Sequence, residues 1–460
     1  MVKYQAYAEY KDSGIEWLGE IPSGWFISSI KYLCYVNDGN HGEEYPKESD
    51  YTSEDEGVAF IRGGNILNYA ITNKDMLYIT KRKNESMRKG RLQAGDILFV
   101  NRGDIGKLAL IDKKHEGSNL NSQIAYLRCL DEKINNKYLL YFLASDYINN
   151  LLLSMKMGSV LTQFPIGNLL EIKVPLASHG EQKKIAKFLD HETAKIDHLI
   201  EKQQQLIELL KEKHQAVISH AVTKGLDPNV PMKNSGVEWL GEVPEHWTVK
   251  RLKHISPKIG VGLVINPSTY TRDEGVYFIF GGDVKEYGFD LSKTRRIAKH
   301  DSDNLLPSRL NYRDLVSIRV GYPGITAVVT QELEGANCAS VILIRKGKYN
   351  SDWLCAAMNI WVGRQQVELA SYGAAQKQFN VSDAIEFIFP VPPKREQNEI
   401  ANFVEETRNK FDSLSQKAQA QIALLKERRT ALISAAVTGK IDVRNWQAPM
   451  VAEAQTELSA

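Results

Sequence analysis

The sequence predicts an α+β protein in which two similar mixed α/β globular domains are separated by an antiparallel coiled coil of two long helices, with pseudo-twofold symmetry. A long helical segment occurs twice, and residues 181–228 and 396–443 match without a gap at 22 of 48 positions. Short β-type runs bounded by glycine, asparagine and aspartate also occur in both halves. The chain therefore consists of two copies of one plan, at roughly 12–228 and 234–443.

The composition is that of an ordinary soluble protein. The 460 residues are 43% apolar and 25% charged, which is enough chain for several domains with their own cores. The polar N-terminus and the lack of a long apolar run predict a cytoplasmic protein with no contact to a membrane. A net charge of only +2 means that any nucleic-acid contact must come from local basic patches. The four scattered cysteines are expected to be reduced thiols, not disulfides or zinc ligands.

Each half opens on the same motif. Residues 11–25 read KDSGIEWLGEIPSGW and residues 233–247 read KNSGVEWLGEVPEHW, identical at ten of fifteen positions. Proline and glycine predict a tight entry turn there, and the tryptophans are expected to support a core. A Gly-Gly pair follows in each half, at Gly63-Gly64 and Gly281-Gly282, and predicts a turn.

The rest of each globular domain is predicted to be rich in strands. The runs are FIRGGNI, GDILFV, KLALID and IAYLRCL in the first half and VYFIFGG, DLVSIRV, ITAVVT and SVILIRK in the second. Residues 137–155 and 352–370 each predict one amphipathic helix. A last shared motif precedes each long helix and consists of Gly158, Gln163 and Phe164 in one half and Gly373, Gln378 and Phe379 in the other.

The two long helices have clear boundary signals. Ser178 and Glu181 form the S-x-x-E pattern of a capping box at the first helix, and Pro393 precedes the second. Gly225 and Gly439 occupy the expected C-terminal cap positions. The predicted division is 1–178 for the first globular domain, 179–225 for the first helix, 226–393 for the second globular domain, 394–440 for the second helix and 441–460 for a C-terminal tail.

A seven-residue register predicts that the long helices pair with each other. At ~1.5 Å per residue each helix spans ~65 Å, more than one domain can cover, and the connectivity makes the pair antiparallel. Polar Gln203 and Arg428 interrupt the apolar line. The predicted seam of the coiled coil consists of Leu189, Ile196, Leu199, Leu206, Leu210, Val217, Val404, Phe411, Leu414, Leu425 and Leu432.

A search for a reaction centre finds no catalytic residue, metal ligand or bound cofactor. The sequence lacks a phosphate-binding GxxxxGK[ST] loop and a GxGxxG fingerprint, and its histidines form no metal-binding pattern. Asp96, Asp104 and Lys107 could form a nuclease metal site, but the second half does not repeat the trio. Asn266-Pro267-Ser268 is the nearest approach to the Asn-Pro-Pro-aromatic run of amino-methyltransferases, and we expect a turn there.

Basic residues are clustered at matching places in the two halves. KRKNESMRKGR at 81–91 carries six basic residues against one acid, and KTRRIAK at 293–299 carries four with none. Arginine can bond two guanine acceptors at once and lysine contacts phosphate, so both clusters point to DNA. The candidate DNA-binding residues, chosen by charge alone, are Lys81, Arg82, Lys83, Arg88, Lys89, Arg91, Arg102, Arg295, Arg296, Lys299, Arg309, Arg313 and Arg319.

Taken together, the motifs resemble those of the specificity subunit of type I restriction–modification systems. They are the repeated WLGx[IV]PxxW, the repeated G-x-x-x-x-Q-F, and the P-x-x-x-E-Q-x-x-I-A-x-F at the start of the second long helix, of which the first keeps E-Q-x-x-I-A-x-F. The resemblance implies that each globular domain is a target recognition domain for one half of a bipartite site in double-stranded DNA. It also implies that helices Ile185–Val222 and Ile400–Val437 set the spacing of the half-sites and dock two methyltransferase subunits.

The same resemblance implies that restriction subunits, which translocate and cleave DNA, join the complex. S-adenosylmethionine, ATP and magnesium are then expected on partner subunits, and this chain is expected to be non-catalytic. Because the two domains differ in nearly all loop residues, we expect two different half-sites and a non-palindromic target. Two alternatives stay open, a self-contained DNA-modifying or DNA-cleaving enzyme and an assembly scaffold that does not touch DNA.

Overall fold

The computed structural model describes residues 4–130, 132–156, 163–264, 269–373 and 376–448. The chain forms two compact units. Unit 1 comprises Met1–Gln203 and Ala420–Ala460, and unit 2 comprises Gln204–Gln419. The expected motif residue Gly158 and the expected turn at Asn266-Pro267-Ser268 lie outside the described residues. Each unit combines sheets with helices, which confirms the α+β class.

Unit 1 is built from short strands and helices. Its strands are β1 (Tyr10–Asp12), β2 (Glu20–Pro22), β3 (Phe26–Ser29), β4 (Cys34–Asp38), β5 (Tyr51–Thr52), β6 (Gly57–Ile61), β7 (Ile66–Leu67), β8 (Ala70–Ile71), β9 (Leu77–Thr80), β10 (Ile97–Val100), β11 (Leu108–Leu110), β12 (Asn119–Leu120), β13 (Ile124–Cys129) and β14 (Lys173–Leu176). Its helices are α1 (Lys81–Ser86), α2 (Asn136–Leu143), α3 (Asp146–Lys156), α4 (Ile166–Glu171), the first part of α5 (His179–Lys224) and the last part of α10 (Lys394–Val437).

Unit 2 repeats this composition. Its strands are β15 (Met232–Asn234), β16 (Glu242–Pro244), β17 (Thr248–Arg251), β18 (Ile259–Val261), β19 (Thr271–Arg272), β20 (Val276–Ile279), β21 (Val284–Lys285), β22 (Gly288–Phe289), β23 (Arg295–Ile297), β24 (Leu315–Ile318), β25 (Thr326–Val328), β26 (Asn337–Cys338), β27 (Val341–Ile344) and β28 (Ile388–Val391). Its helices are the last part of α5, α6 (Lys299–Asn304), α7 (Ser351–Asn359), α8 (Trp361–Ala370), α9 (Val381–Ala384) and the first part of α10 (Lys394–Val437).

The two units have the same sheet topology. In unit 1, one sheet has the order β11-β10-β13-β4 and a second has β12-β6-β9-β5. In unit 2 the corresponding orders are β25-β24-β27-β18 and β26-β20-β23-β19. Even the parallel pair is kept, since β12 runs parallel to β6 and β26 runs parallel to β20. The predicted duplication is therefore confirmed strand by strand.

The repeated entry motif places one tryptophan in each core. Trp25 and Trp247, the last residues of the two motifs, are only 2% and 0% exposed. Phe164 and Phe379, from the motif before each long helix, are likewise buried. Burying a large side chain contributes about 1.5–3 kcal/mol or more to the free energy of unfolding, so these residues stabilise the core of the unit to which each belongs.

A buried glutamine fastens the start of each long helix to its own unit. The side-chain amides of Gln182 and Gln397 donate to a carbonyl five residues earlier, over 3.0 Å and 2.8 Å. Their side-chain oxygens accept the backbone N–H of Asn135 and Asn350, each over 2.8 Å. Those asparagines cap α2 and α7, so the same hydrogen bonds join a domain helix to a long helix in both units.

The expected single helices at 137–155 and 352–370 are wrong, because each region contains two helices. In unit 1, α2 ends at Leu143, where the hydroxyl of Ser145 donates to the carbonyl of Phe142 over 2.6 Å. In unit 2, Ile360 adopts an extended backbone between α7 and α8. The buried side chains of both short helices belong to the hydrophobic core of their own unit.

The long helices run antiparallel within each unit. In unit 1, Asp197 of α5 pairs with Arg429 of α10 over 2.8 Å, whereas Lys184, earlier in α5, reaches the carbonyl of Arg444 beyond the end of α10. In unit 2, the rings of His214 and Phe411 lie 5.2 Å apart. The hydroxyl of Ser178 accepts the backbone N–H of Glu181 over 3.3 Å, as the capping pattern predicts.

The predicted seam is only partly buried. The buried members are Leu189, Ile196, Val404, Leu425 and Leu432, and the half-buried ones are Leu210, Val217 and Phe411. Leu199, Leu206 and Leu414 are 49%, 44% and 39% exposed and do not form part of a buried seam. In α5 the flanking positions that are half-buried are Ile200 and Ile207, one residue further along and about 100° around the helix.

Candidate nucleic-acid interface

The two basic clusters lie at equivalent strands, directly after β9 in unit 1 and on β23 itself in unit 2. In unit 1, β9 leads directly into α1, and the hydroxyl of Thr80 caps that helix by accepting the N–H of Lys83 over 3.2 Å. In unit 2, β23 leads into α6, which begins at Lys299. Since β9 and β23 hold the same place in their sheets, the clusters occupy matching positions in the two units.

The cations of unit 1 differ in how far they are already neutralised. Lys81 and Arg82 are exposed, and among the described residues neither has a carboxylate partner. Lys83 lies 3.5 Å from Asp50. Arg88 and Glu44 pair over 2.9 Å, although Arg88 is highly exposed. Lys81 and Arg82 are therefore the cations most available to a DNA phosphate.

Lys89 belongs to a small ionic network. Its amine hydrogen-bonds Asp38, and His41 contacts the same carboxylate over 2.8 Å. Burial alone raises the pKa of Asp38, but the hydrogen bonds from Lys89 and His41 lower it below its usual range. Arg91 donates to the backbone carbonyls of Asn84 and Glu85 over 3.2 Å and 3.3 Å. Lys89 and Arg91 therefore stabilise the segment that displays Lys81 and Arg82.

Unit 2 presents guanidinium groups on aromatic rings. The guanidinium of Arg296 lies 3.9 Å from the ring centre of Tyr277, and that of Arg295 lies 4.9 Å from the ring centre of Phe280. Arg296 also donates to the carbonyl of Gly275 over 3.1 Å. Stacking holds a planar guanidinium in a fixed orientation, and its remaining donors can still bond base edges or phosphates.

The remaining candidates lie in the segments before or after strands β10 and β24. Arg102 follows β10 and Arg319 follows β24, and the Nε atoms of both are buried without a hydrogen-bond partner. Arg313 precedes β24, pairs with Asp352 and lines a cavity of about 380 Å³ beside α10. Arg309 pairs with Asp303 over 2.6 Å. The charge-based set is therefore not one surface, because Arg313 and Arg319 are separated by the length of a strand.

The possible nuclease trio is not assembled. Asp96 is buried and accepts two hydrogen bonds from Arg128, both of 2.8 Å. Asp104 pairs with its neighbour Lys107 over 2.6 Å at an exposed site, which lowers the pKa of Asp104. Asp314 of unit 2 makes the same kind of buried pair as Asp96, with Arg345 over 2.7 Å. Asp96 and its counterpart Asp314 are therefore each buried and paired with an arginine, which indicates a structural role for both carboxylates.

The described residues contain no group of three or more histidine, cysteine or acidic side chains arranged to hold a metal ion. Within those same ranges, no helix is both long and apolar enough to cross a membrane.

Charge alone did not point to several residues that lie close to the candidates. Gln163 and Gln378 bridge to Arg102 and Val320, in the loops that follow β10 and β24. Their repetition in the Q-F motif was the available signal. Arg62, beside the first Gly-Gly turn, also has a buried Nε without a partner, but its isolated position in the sequence gave no sign of it.

The known proteins that this chain resembles carry descriptions that agree with one another. Residues 22–209 match the family model described as the type I restriction modification DNA specificity domain. The putative type I restriction enzyme MjaX specificity subunit of Methanocaldococcus jannaschii is 26% identical and covers 93% of this chain and 96% of its own length. The EcoBI specificity subunit of Escherichia coli is 22% identical, over 96% of this chain and 91% of its own.

Solved structures share the fold. A chain from a structural study of complex assembly and conformational transition of the type I R-M system aligns with a TM-score of 0.68 at 16% identity, over 91% of this chain and 98% of that one. The HsdS subunit from Thermoanaerobacter tengcongensis aligns with a TM-score of 0.50 at 16% identity, over 92% and 98%. The resemblance in fold therefore extends over nearly the full length of both chains.

Proposed function

We propose that this chain is a DNA specificity subunit of a type I restriction–modification system and that it reads a bipartite, asymmetric DNA site for such a complex. Each unit acts as a target recognition domain for one half-site. The chain itself supplies no catalysis. The complex acts in the cytoplasm.

One observation carries the proposal, namely the difference between two matched surfaces on a shared frame. The sheet orders of the units are the same, yet β9 and α1 present Lys81 and Arg82 where β23 presents Arg295 and Arg296 stacked on aromatic rings. Phosphate contacts fix position and base-edge contacts read sequence. Two recognition domains that share a sheet topology but display different side chains are suited to bind two different half-sites.

Apolar surface on the long helices supports a role in assembly. The large exposed apolar side chains there are Leu199, Leu206, Leu209, Leu414 and Leu424. Large apolar side chains left in solvent on a helix offer surface to a protein partner. We propose that it docks two methyltransferase subunits, and that restriction subunits join the same complex. S-adenosylmethionine, ATP and magnesium are then bound by those partners.

The test is DNA methylation by the chain assembled with type I methyltransferase subunits. Randomising either half-site of the target should abolish methylation, and the base sequences required by the two units should differ. Inserting ~4 residues at matching points of α5 and α10 should lengthen the helices by ~6 Å and shift the preferred spacing by about two base pairs.

Two outcomes would contradict the proposal. Methylation or cleavage by the purified chain alone, given DNA, magnesium and S-adenosylmethionine, would identify a self-contained enzyme. Full recognition of both half-sites after Lys81, Arg82, Arg295 and Arg296 are all changed to alanine would favour a scaffold that does not touch DNA.

A further inference from the structure

A short hairpin in each unit carries a tyrosine in an uncommon backbone conformation. Tyr69 lies between β7 and β8 with φ of 62°, and Tyr287 lies between β21 and β22 with φ of 64°. Both tyrosines follow their Gly-Gly pair at the same offset. Positive φ disfavours a bulky side chain, so a tyrosine kept there twice requires a compensating contact.

In unit 1 that contact is an arginine of a long helix. The guanidinium of Arg429 lies 4.9 Å from the ring centre of Tyr69 and donates to its hydroxyl over 3.2 Å. Asp197 fixes the same guanidinium from α5 through hydrogen bonds of 2.8 Å and 3.2 Å. The carbonyl of Tyr69 accepts the N–H of Leu110 in β11 over 3.0 Å. Tyr69 therefore connects both long helices to the edge of a sheet.

Unit 2 contains the same connection. The guanidinium of Arg408, in α10, lies 4.1 Å from the ring centre of Tyr287. The N–H of Tyr287 donates to the carbonyl of Thr326 in β25 over 3.0 Å. Burial raises the pKa of the Tyr287 hydroxyl, which stays neutral against the helix. β25 corresponds to β11, so the two tyrosines fasten equivalent sheet edges.

The arginines in these contacts are not repeats of each other. At the repeat offset, Arg429 corresponds to His214, and Arg408 corresponds to Thr193. Among the described residues, neither His214 nor Thr193 makes a ring contact or a hydrogen bond with a hairpin tyrosine. His214 packs on Phe411, and Thr193 donates to the carbonyl of Leu189. Duplication alone would have copied the arginine together with the tyrosine. The contact itself was kept while its source changed.

We propose that the two hairpin latches, Tyr69 with Arg429 and Tyr287 with Arg408, fix the angle of each recognition sheet on the long helices and thereby set how strictly the complex measures half-site spacing. This inference rests on the proposed function. The four residues are positioning residues. A rotation of about 10° moves a point ~20 Å away by ~3.5 Å, close to one base-pair step, so small angular freedom is enough to blur the spacing.

The experiment measures methylation by the assembled complex on DNA whose half-sites are at the native spacing, one base pair closer or one base pair further apart. Arg429→Ala and Arg408→Ala should each reduce the preference for native spacing by about fivefold, with little change on native DNA. Arg428→Ala, an exposed neighbour in the same helix, is the matched control and should keep the preference.

A second measurement separates positioning from general destabilisation. Hydrogen exchange should become faster in the hairpin at 66–71 for Arg429→Ala and in the hairpin at 284–289 for Arg408→Ala, each without change in the other unit. If an alanine variant does not assemble, Arg429→Lys and Arg408→Lys keep the charge and remove the flat stacking group, and should still broaden the spacing.

Unchanged spacing preference in a latch variant whose hairpin exchanges faster would overturn the latch inference and leave the proposed function intact. Failure of the proposed function looks different, because the unmodified complex would then ignore the sequence of both half-sites.

Discussion

The two units compare as one frame with two surfaces. Unit 1 displays its cations on a short helix, where Lys81 and Arg82 face solvent. Unit 2 displays arginines on a strand, flat against Tyr277 and Phe280. The sheets beneath have the same order of strands. The sheets and the residues displayed on them can therefore vary independently, because none of these cations takes part in the core.

The form of display affects what each surface can recognise. An exposed lysine is a mobile point charge suited to phosphate, whereas a stacked guanidinium is already oriented for two parallel hydrogen bonds. We therefore expect sequence preference to depend more on single residues in unit 2 than in unit 1.

The largest expected effects concern the shared frame. Phe164→Ala and Phe379→Ala should each lower the free energy of unfolding by about 3–5 kcal/mol, because both rings are fully buried at equivalent places. The loss is measured by urea denaturation, with hydrogen exchange used to monitor the unfolding of each unit separately. A loss of stability in only one of the two variants would contradict the claim that the two phenylalanines play equivalent roles in their units.

The buried ion pairs test the frame a second time. Asp96→Ala and Asp314→Ala should each lower the free energy of unfolding by about 2–3 kcal/mol, because Arg128 and Arg345 lose a buried partner but keep partial access to water. Thermal unfolding of the two variants measures the loss. The exposed pair at Asp104 is the control, and Asp104→Ala should cost under ~1 kcal/mol.

The surface of unit 2 should depend on one guanidinium. Arg296→Ala should weaken DNA binding by the assembled complex by about 1–3 kcal/mol and relax base preference in one half-site only. Arg296→Lys should rescue little, since lysine cannot stack flat or donate two parallel bonds. Fluorescence anisotropy on DNA with single-base changes measures both. Full rescue by lysine would show that only the charge matters.

The smallest expected effects belong to unit 1. Lys81→Ala and Arg82→Ala should each lower the slope of log affinity against log salt by about 0.9, with base preference unchanged. Titrations at several salt concentrations measure the slope. Changed base preference in either variant would mean that unit 1 also reads bases through these residues, which would remove the contrast with unit 2.

The sequence predicted the features that depend on local pattern. The ends of the long helices follow Ser178 and the glycines after each helix, because capping involves residues only a few positions apart. Single helices at 137–155 and 352–370 were wrong, because amphipathic period does not register a one-residue break such as that at Ile360. The division into domains by residue number stays a prediction.

The candidate site was less predictable because neutralisation depends on distant residues. Lys89 bonds Asp38, which lies 51 positions away, and Arg313 bonds Asp352, 39 positions away. No count of charges in a window distinguishes these cations from Lys81. The hairpin tyrosines were missed for the same reason, since Tyr69 meets Arg429 only after 360 residues of chain.

The glutamines at the start of the long helices make the same connection between globular domain and long helix in both units. Gln182 and Gln397 accept the same backbone N–H and bond the same relative carbonyl in the two units. A different globular segment could therefore be joined to the same long helix, provided that it has a capping asparagine at that position. Exchange of one segment by recombination would then change the DNA that is read and leave the machinery that acts on it untouched.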